Sequence, residues 1–142
     1  MVYLTRIEHF NAAHKLYNPR WTKEKNEAVF GRCANENWHG HNFELYVTIK
    51  GYPDPDTGFI FDAKQLGKLV QERIIEQLDH RNLNEDVGFM KGKMCSIENL
   101  VIGIWNELQP LLPADAPLHC LKLVETDKIY VEYYGEQEAV NK

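Results

Sequence analysis

The sequence predicts an α+β fold: two helices covering one face of an antiparallel sheet, in the order β-β-α-α-β-β. Three observations predict it. Residues 39–50 alternate with a period of two, Phe43, Leu45, Val47 and Ile49 against Glu44, Tyr46, Thr48 and Lys50, the pattern of a half-buried strand. Two mid-chain segments carry apolar residues at helical spacing. Strands and helices come in pairs instead of alternating, which points to helices segregated on one face of an antiparallel sheet.

Residues 2–12 form the first expected strand, with Leu4 and Phe10 on one face and Tyr3, Ile7 and His9 on the other. Residues 15–38 are polar and irregular and read as a long loop, a kind of segment that is functional or disordered. After the strand at 39–50, the run from Gly51 to Gly58 is a turn region and Phe59-Ile60-Phe61 a short extended piece. Asp62 starts a helix, with Gln65 placed to reach back as in a capping box and Leu66, Leu69, Val70, Ile74 and Leu78 as its apolar stripe. Residues 79–95 read as a second loop. Ser96 caps a second helix, where Glu98 suits the positive end of the dipole. Ile97, Leu100, Val101, Ile104, Trp105 and Leu108 are its buried face, and Pro110 and Pro113 bound it. Residues 118–125 and 129–134 form a hairpin around Thr126-Asp127-Lys128. The last strand is apolar on both sides, so self-association would bury the second face of the sheet.

Composition bounds the function classes. A chain of 142 residues predicts a single domain over 1–142. No apolar run approaches the ~20 residues of a membrane span, and the start lacks the basic region and apolar core of a signal peptide. Three cysteines at uneven spacing fit a reducing cytosol, so a cytoplasmic location is expected. A net charge of −5 and a pI of about 5.7 disfavour nonspecific nucleic-acid binding.

Two of the six histidines stand in Trp38-His39-Gly40-His41-Asn42, at the head of the clearest strand. Residues i and i+2 of a strand share a side, so His39 and His41 can hold one ion from one direction. The glycine between them would let the backbone approach closely. His14, just after the first strand, supplies a third ligand if the two strands are neighbours; His9 is the competitor. Three imidazoles suit Zn²⁺ and leave a position open, as in a catalytic site. The plainer alternative is two strand residues beside a loop.

Cys33 lies in the long loop beside Arg32 and near the proposed metal, where a thiol can serve as base or nucleophile; an incidental thiol fits as well. Cys120 reads as core filler, and Cys95 has no obvious partner. Asp79 and His80 end the first helix. A carboxylate beside an imidazole can set its tautomer, but adjacent residues of a helix face apart, and His80 with Arg81 also suits a helix C-terminus. Glu125 shares a strand face with Leu121 and Leu123. A carboxylate there needs a partner and could accept two hydrogen bonds from a flat heterocycle, or mark an exposed strand end.

The ordered set Phe10-Asn11-Ala12-Ala13-His14, Phe30-Gly31-Arg32-Cys33, His39-Gly40-His41-Asn42, Asp56-Thr57-Gly58 with Asp62, Leu78-Asp79-His80 with Leu83-Asn84, Glu98-Asn99 and Glu125-Thr126 resembles the 6-pyruvoyl tetrahydropterin synthase family over nearly the whole chain. The resemblance implies a tunnelling fold whose sheets join into a barrel in a trimer, two trimers stacking as a hexamer, with sites at subunit interfaces. It implies His14, His39 and His41 as zinc ligands, Cys33 as the catalytic thiol, and Asp79 and His80 as acid–base partners. Glu125 would anchor the pterin ring, with Ser96 and Glu98 near it. The implied substrate is 7,8-dihydroneopterin triphosphate, with no nicotinamide or flavin; the sequence has no G-x-G-x-x-G fingerprint. Two departures stand out: Ile97, where relatives often carry a hydroxyl, and the bulky Trp38 before His39. Relatives on the queuosine route convert the same substrate to 6-carboxytetrahydropterin with loss of acetaldehyde. The five residues between Cys33 and His39 resemble the pyruvoyl-forming type, since many carboxy-forming relatives have a shorter gap. Two further readings are a non-catalytic zinc or pterin-binding module and a structural oligomer without metal.

Overall fold

The computed structural model describes residues 1–136; residues 137–142 of the expected domain lie outside the described residues. The strands are β1 (Val2–His14), β2 (His39–Gly51), β3 (Arg81–Asn82), β4 (Leu118–Thr126) and β5 (Ile129–Tyr133). They form one sheet in the order β3-β1-β2-β4-β5. The four long strands pair antiparallel, as expected. The short β3, inside the segment read as a loop, adds a parallel edge by pairing Ala12 with Arg81 and Ala13 with Asn82.

The β1–β2 ladder runs without a break from Val2↔Gly51 to His14↔His39. Its inner face carries Phe10 and Ala12 on β1 and Phe43, Leu45, Val47 and Ile49 on β2, all buried. The rings of Phe10 and Phe43 stack at 4.8 Å. Leu121 and Leu123 of β4 extend this face.

Two helical stretches cover it. Asp62 caps α2 (Ala63–Val70) by accepting from the Lys64 N–H at 2.8 Å. The helix passes through a π turn, Gln71–Ile75, into α3 (Glu76–Leu78). The wider π turn lets both Ile74 and Ile75 face the core. Ser96 caps the helix Ile97–Leu108, here α4, accepting from the Asn99 N–H at 3.2 Å. Every residue of its expected apolar face is buried. Phe59-Ile60-Phe61 joins no strand; Ile60 and Phe61 pack on the core edge.

Two expectations are corrected. Residues 15–38 are not a featureless loop, because α1 (Lys23–Phe30) and a 3-10 turn, Gly31–Ala34, lie within them. This helix has no apolar stripe to reveal it. Fully buried Asn26 holds it instead: its Oδ1 accepts from the Asn18 N–H at 2.6 Å, and its Nδ2 donates to the Asn18 carbonyl at 3.0 Å and the Thr22 carbonyl at 2.9 Å. Gly31, at φ +57°, ends the helix and turns the chain toward Cys33. Cys120 is not core filler either. It is buried, but alternation with the inward Leu121 and Leu123 places it across from Thr48, in a groove on the outer face with Tyr46 and Tyr134.

Asn26→Ala leaves the Asn18 N–H without a partner and is expected to cost about 1–3 kcal/mol. Hydrogen exchange over residues 18–34 should then accelerate before that of the sheet. Unchanged exchange in that segment would assign the loop's order to other contacts.

Candidate functional site

Strand register assembles the site. His14 lies opposite His39, and His41 opposite Ala12. On β1 the side of Phe10, Ala12 and His14 faces inward, and on β2 so does the side of His39, His41 and Phe43. The three imidazoles therefore share one face, beyond the end of the helix-covered core. His9, the competing ligand, has the opposite parity, pairs with Glu44 and is exposed.

The ring centroids of His14 and His39 are 4.5 Å apart, those of His39 and His41 4.9 Å, and those of His14 and His41 5.2 Å. A nitrogen from each lies within 4.8 Å of the others. His14 is buried, and its Nδ1 meets the Cys95 carbonyl at 2.8 Å. A carbonyl only accepts, so Nδ1 carries the proton and Nε2 a bare lone pair. His14 Nε2, His39 Nδ1 and His41 Nε2 are all buried with no hydrogen-bond partner among the described residues. Leaving such groups unpaired costs about 1–3 kcal/mol each. A shared cation satisfies convergent neutral imidazoles, so the donor set fits a divalent ion of the borderline class.

Glu125 stands on the same face, its Oε1 3.7 Å from His41 Nε2. That is too long for a hydrogen bond, so among the described residues the carboxylate remains free for another partner. Burial holds all three histidines below the ordinary imidazole pKa, while the negative charge of Glu125 opposes that shift at each.

Asp79 and His80 form a second group at the β1 edge. The helix stops at Leu78, Asp79 is extended, and His80 takes φ +60°. This bend contradicts the expectation that the two side chains face apart: His80 Nδ1 meets Asp79 Oδ2 at 3.0 Å. Asn11 holds both, its N–H donating to Asp79 Oδ1 at 2.8 Å and its carbonyl accepting from the His80 N–H at 2.6 Å. The Asn11 bond first, then His80, holds the Asp79 carboxyl below the usual carboxylate range. The His80 side chain is 82% exposed.

The family model for "6-pyruvoyl tetrahydropterin synthase" matches residues 3–136. A 6-pyruvoyl tetrahydrobiopterin synthase of Poecilia reticulata is 40% identical over 134 residues, covering 94% of this chain and 90% of the relative. The human protein of that name is 40% identical over 127 residues, 89% of this chain and 87% of the relative. The chain belongs to the 6-pyruvoyl tetrahydropterin synthase family. A solved 6-pyruvoyl tetrahydropterin synthase of Caenorhabditis elegans superposes with a TM-score of 0.88 at 32% identity, covering 95% of this chain and 96% of that one.

Cys33 is half-buried in the 3-10 turn, its carbonyl accepting from the Leu16 N–H at 2.7 Å. Its sulfur has no hydrogen bond to Asp79 or His80 among the described residues, so one chain brings together the histidines with Glu125, and Asp79 with His80, but not the thiol with that pair. Ile97 is buried in the core, so its position makes no polar contact; Ser96 beside it keeps a hydroxyl hydrogen to donate. Glu98 is exposed on the first turn of α4. Trp38 adopts φ +64°, and Lys15 Nζ sits 4.2 Å over its ring. Gly40 is not required for space, because a Cβ there would meet the Ala12 carbonyl at an ordinary 3.5 Å. The Cys95 and Asn11 carbonyls escaped sequence reasoning, since any residue type offers one.

Because the histidine pKa values are lowered from 6.5, the unfolded chain binds more protons than the native one below that pH. The metal-free protein should keep this stability above about pH 6.5 and lose it as the pH falls through and below that value. Thermal melts of metal-free protein from about pH 8 to about pH 5 check this; a flat acid side would contradict the burial assigned to the three rings.

Proposed function

We propose that this chain is a zinc-dependent lyase that converts 7,8-dihydroneopterin triphosphate to 6-pyruvoyl tetrahydropterin with loss of triphosphate. The observation that carries it is the set of three unpartnered imidazole nitrogens with a free carboxylate, Glu125, beside them on one sheet face. His14, His39 and His41 would hold the metal. Bound there, zinc would serve as a Lewis acid toward the substrate's side-chain hydroxyls.

The chain's own groups do the rest. Glu125 accepts two hydrogen bonds from the adjacent N–H and NH₂ of the pterin ring, with Ser96 and Glu98 near it. Cys33 Sγ takes a proton from the side-chain carbon. Asp79 keeps the proton of His80 on Nδ1, so Nε2 is free to move protons at the second position. Triphosphate leaves with its electron pair, and the remaining side chain tautomerises. The oxidation and reduction are internal to the substrate, so the step balances without a nicotinamide or flavin.

The exposed Asp79–His80 pair and the separate Cys33 fit a site shared between copies. We read the active form as a homo-oligomer, a trimer or a hexamer, in which the open sheets join into a barrel and cover the exposed Tyr130 on the outer side of β5. The single synthase domain spans 1–142. No helix among the described residues is long and apolar enough to cross a membrane; a cytoplasmic location and a small-molecule partner, not nucleic acid, belong to the same reading.

Incubation of the zinc-loaded protein with dihydroneopterin triphosphate, followed by mass analysis, should yield 6-pyruvoyl tetrahydropterin. Release of acetaldehyde with 6-carboxytetrahydropterin would move the chain to the carboxy-forming reaction, and no turnover would leave a binding module. Cys33→Ala should lower kcat by about 10²–10⁴-fold while retaining zinc; an undiminished rate would remove the thiol from the mechanism.

A further inference from the structure

A cavity of about 580 Å³ opens beside the histidine cluster, and Lys15, Arg20, Trp38, Lys93 and Met94 are among its walls. Three of its walls continue directly from the metal site. Lys15 follows His14, Trp38 precedes His39, and Met94 precedes Cys95, whose carbonyl holds the His14 ring. No histidine lines the cavity itself; it is placed next to the metal site by these three chain neighbours, each one Cα step of ~3.8 Å from a residue of that site.

Its charge is out of keeping with the molecule. The chain carries a net −5, yet the cavity gathers three cations against one carboxylate, Glu85. Among the described residues no carboxylate lies within 4.0 Å of the charged atoms of Lys15, Arg20 or Lys93. Like charges held together without counter-charges repel, so the arrangement is unfavourable until an anion joins it.

Lys15 is also held in place. Its N–H donates to Asn84 Oδ1 at 3.0 Å, and its carbonyl accepts from Asn84 Nδ2 at 3.1 Å. Its Nζ rests 4.2 Å from the centre of the Trp38 ring. The left-handed backbone of Trp38 is a costly conformation for a bulky residue. It is the departure that brings an indole under this lysine.

We propose that this cavity is a polyphosphate subsite, with Lys15, Arg20 and Lys93 as the cations that receive the phosphoryl oxygens. The proposal rests on the lyase reading given above, in which the substrate's triphosphate must lie close to the metal and then depart. A neighbouring cavity shares Lys15 and adds Lys23 and Arg32; it is the weaker choice, because it also contains Glu27 and Glu36, and Lys23 already faces Glu27 at 4.0 Å.

The test compares two ligands on the zinc-loaded Cys33→Ala protein, which binds without turnover. Affinities for 7,8-dihydroneopterin triphosphate and for 7,8-dihydroneopterin, which lacks the phosphates, are read from dihydropterin fluorescence. The triphosphate should bind at least about tenfold more tightly. Adding Arg20→Gln with Lys93→Gln should remove most of that preference while leaving dihydroneopterin affinity and zinc content unchanged. Adding Arg32→Gln instead should leave the preference intact. If dihydroneopterin binds but the preference survives the Arg20 and Lys93 changes, or is lost with Arg32→Gln alone, the subsite assignment is overturned and the lyase reading stands. If neither ligand binds, both fall.

Discussion

The pairing of β1 with β2 is the constraint on which the site depends. The ladder places His14 directly opposite His39 and sets His41 two residues further along the same face. A slip of one residue would turn every side chain of a strand to the other face, sending His14 to the open side and turning Tyr3, Ile7 and His9 inward. Hydrophobic burial prevents that slip. Phe10 stacked on Phe43 and the buried row Leu45, Val47 and Ile49 hold the inner face against the helices. The same alternation that builds the core thus aims the imidazoles, and the chemistry occupies the end of a sheet whose middle provides the stability.

The site works against that stability. Three imidazole nitrogens are taken out of water without partners among the described residues, and three cations line one cavity next to them in the chain. Trp38 and His80 occupy left-handed backbone. Local cost of this kind concentrates where ligands are to be received. Each feature becomes favourable only when something of opposite character arrives: a cation for the imidazoles, an anion for Lys15, Arg20 and Lys93.

Much of this was legible in the sequence. Period-two alternation marked β2, helical spacing marked α4, and the parity of His39 and His41 placed them together. His14 followed from expecting consecutive strands to be neighbours. What escaped lacked a side-chain pattern. The helix Lys23–Phe30 has no apolar stripe and is held by one buried amide, Asn26. The contact between Asp79 and His80 arises from a backbone bend, and adjacency on a helix argued against it. Cys120 stands in an apolar stretch, but its parity is opposite to that of Leu121 and Leu123 and it faces outward. The carbonyl of Cys95, which sets the His14 tautomer, leaves no mark on the choice of amino acid.

The convergence of three imidazoles on one ion is tested most directly by X-ray absorption at the zinc edge on the full chain, after elemental analysis. The expected result is one zinc per chain with three imidazole nitrogens in its shell and no sulfur. Metal well below one per chain after dialysis against zinc, or sulfur from Cys33 in the shell, would contradict it.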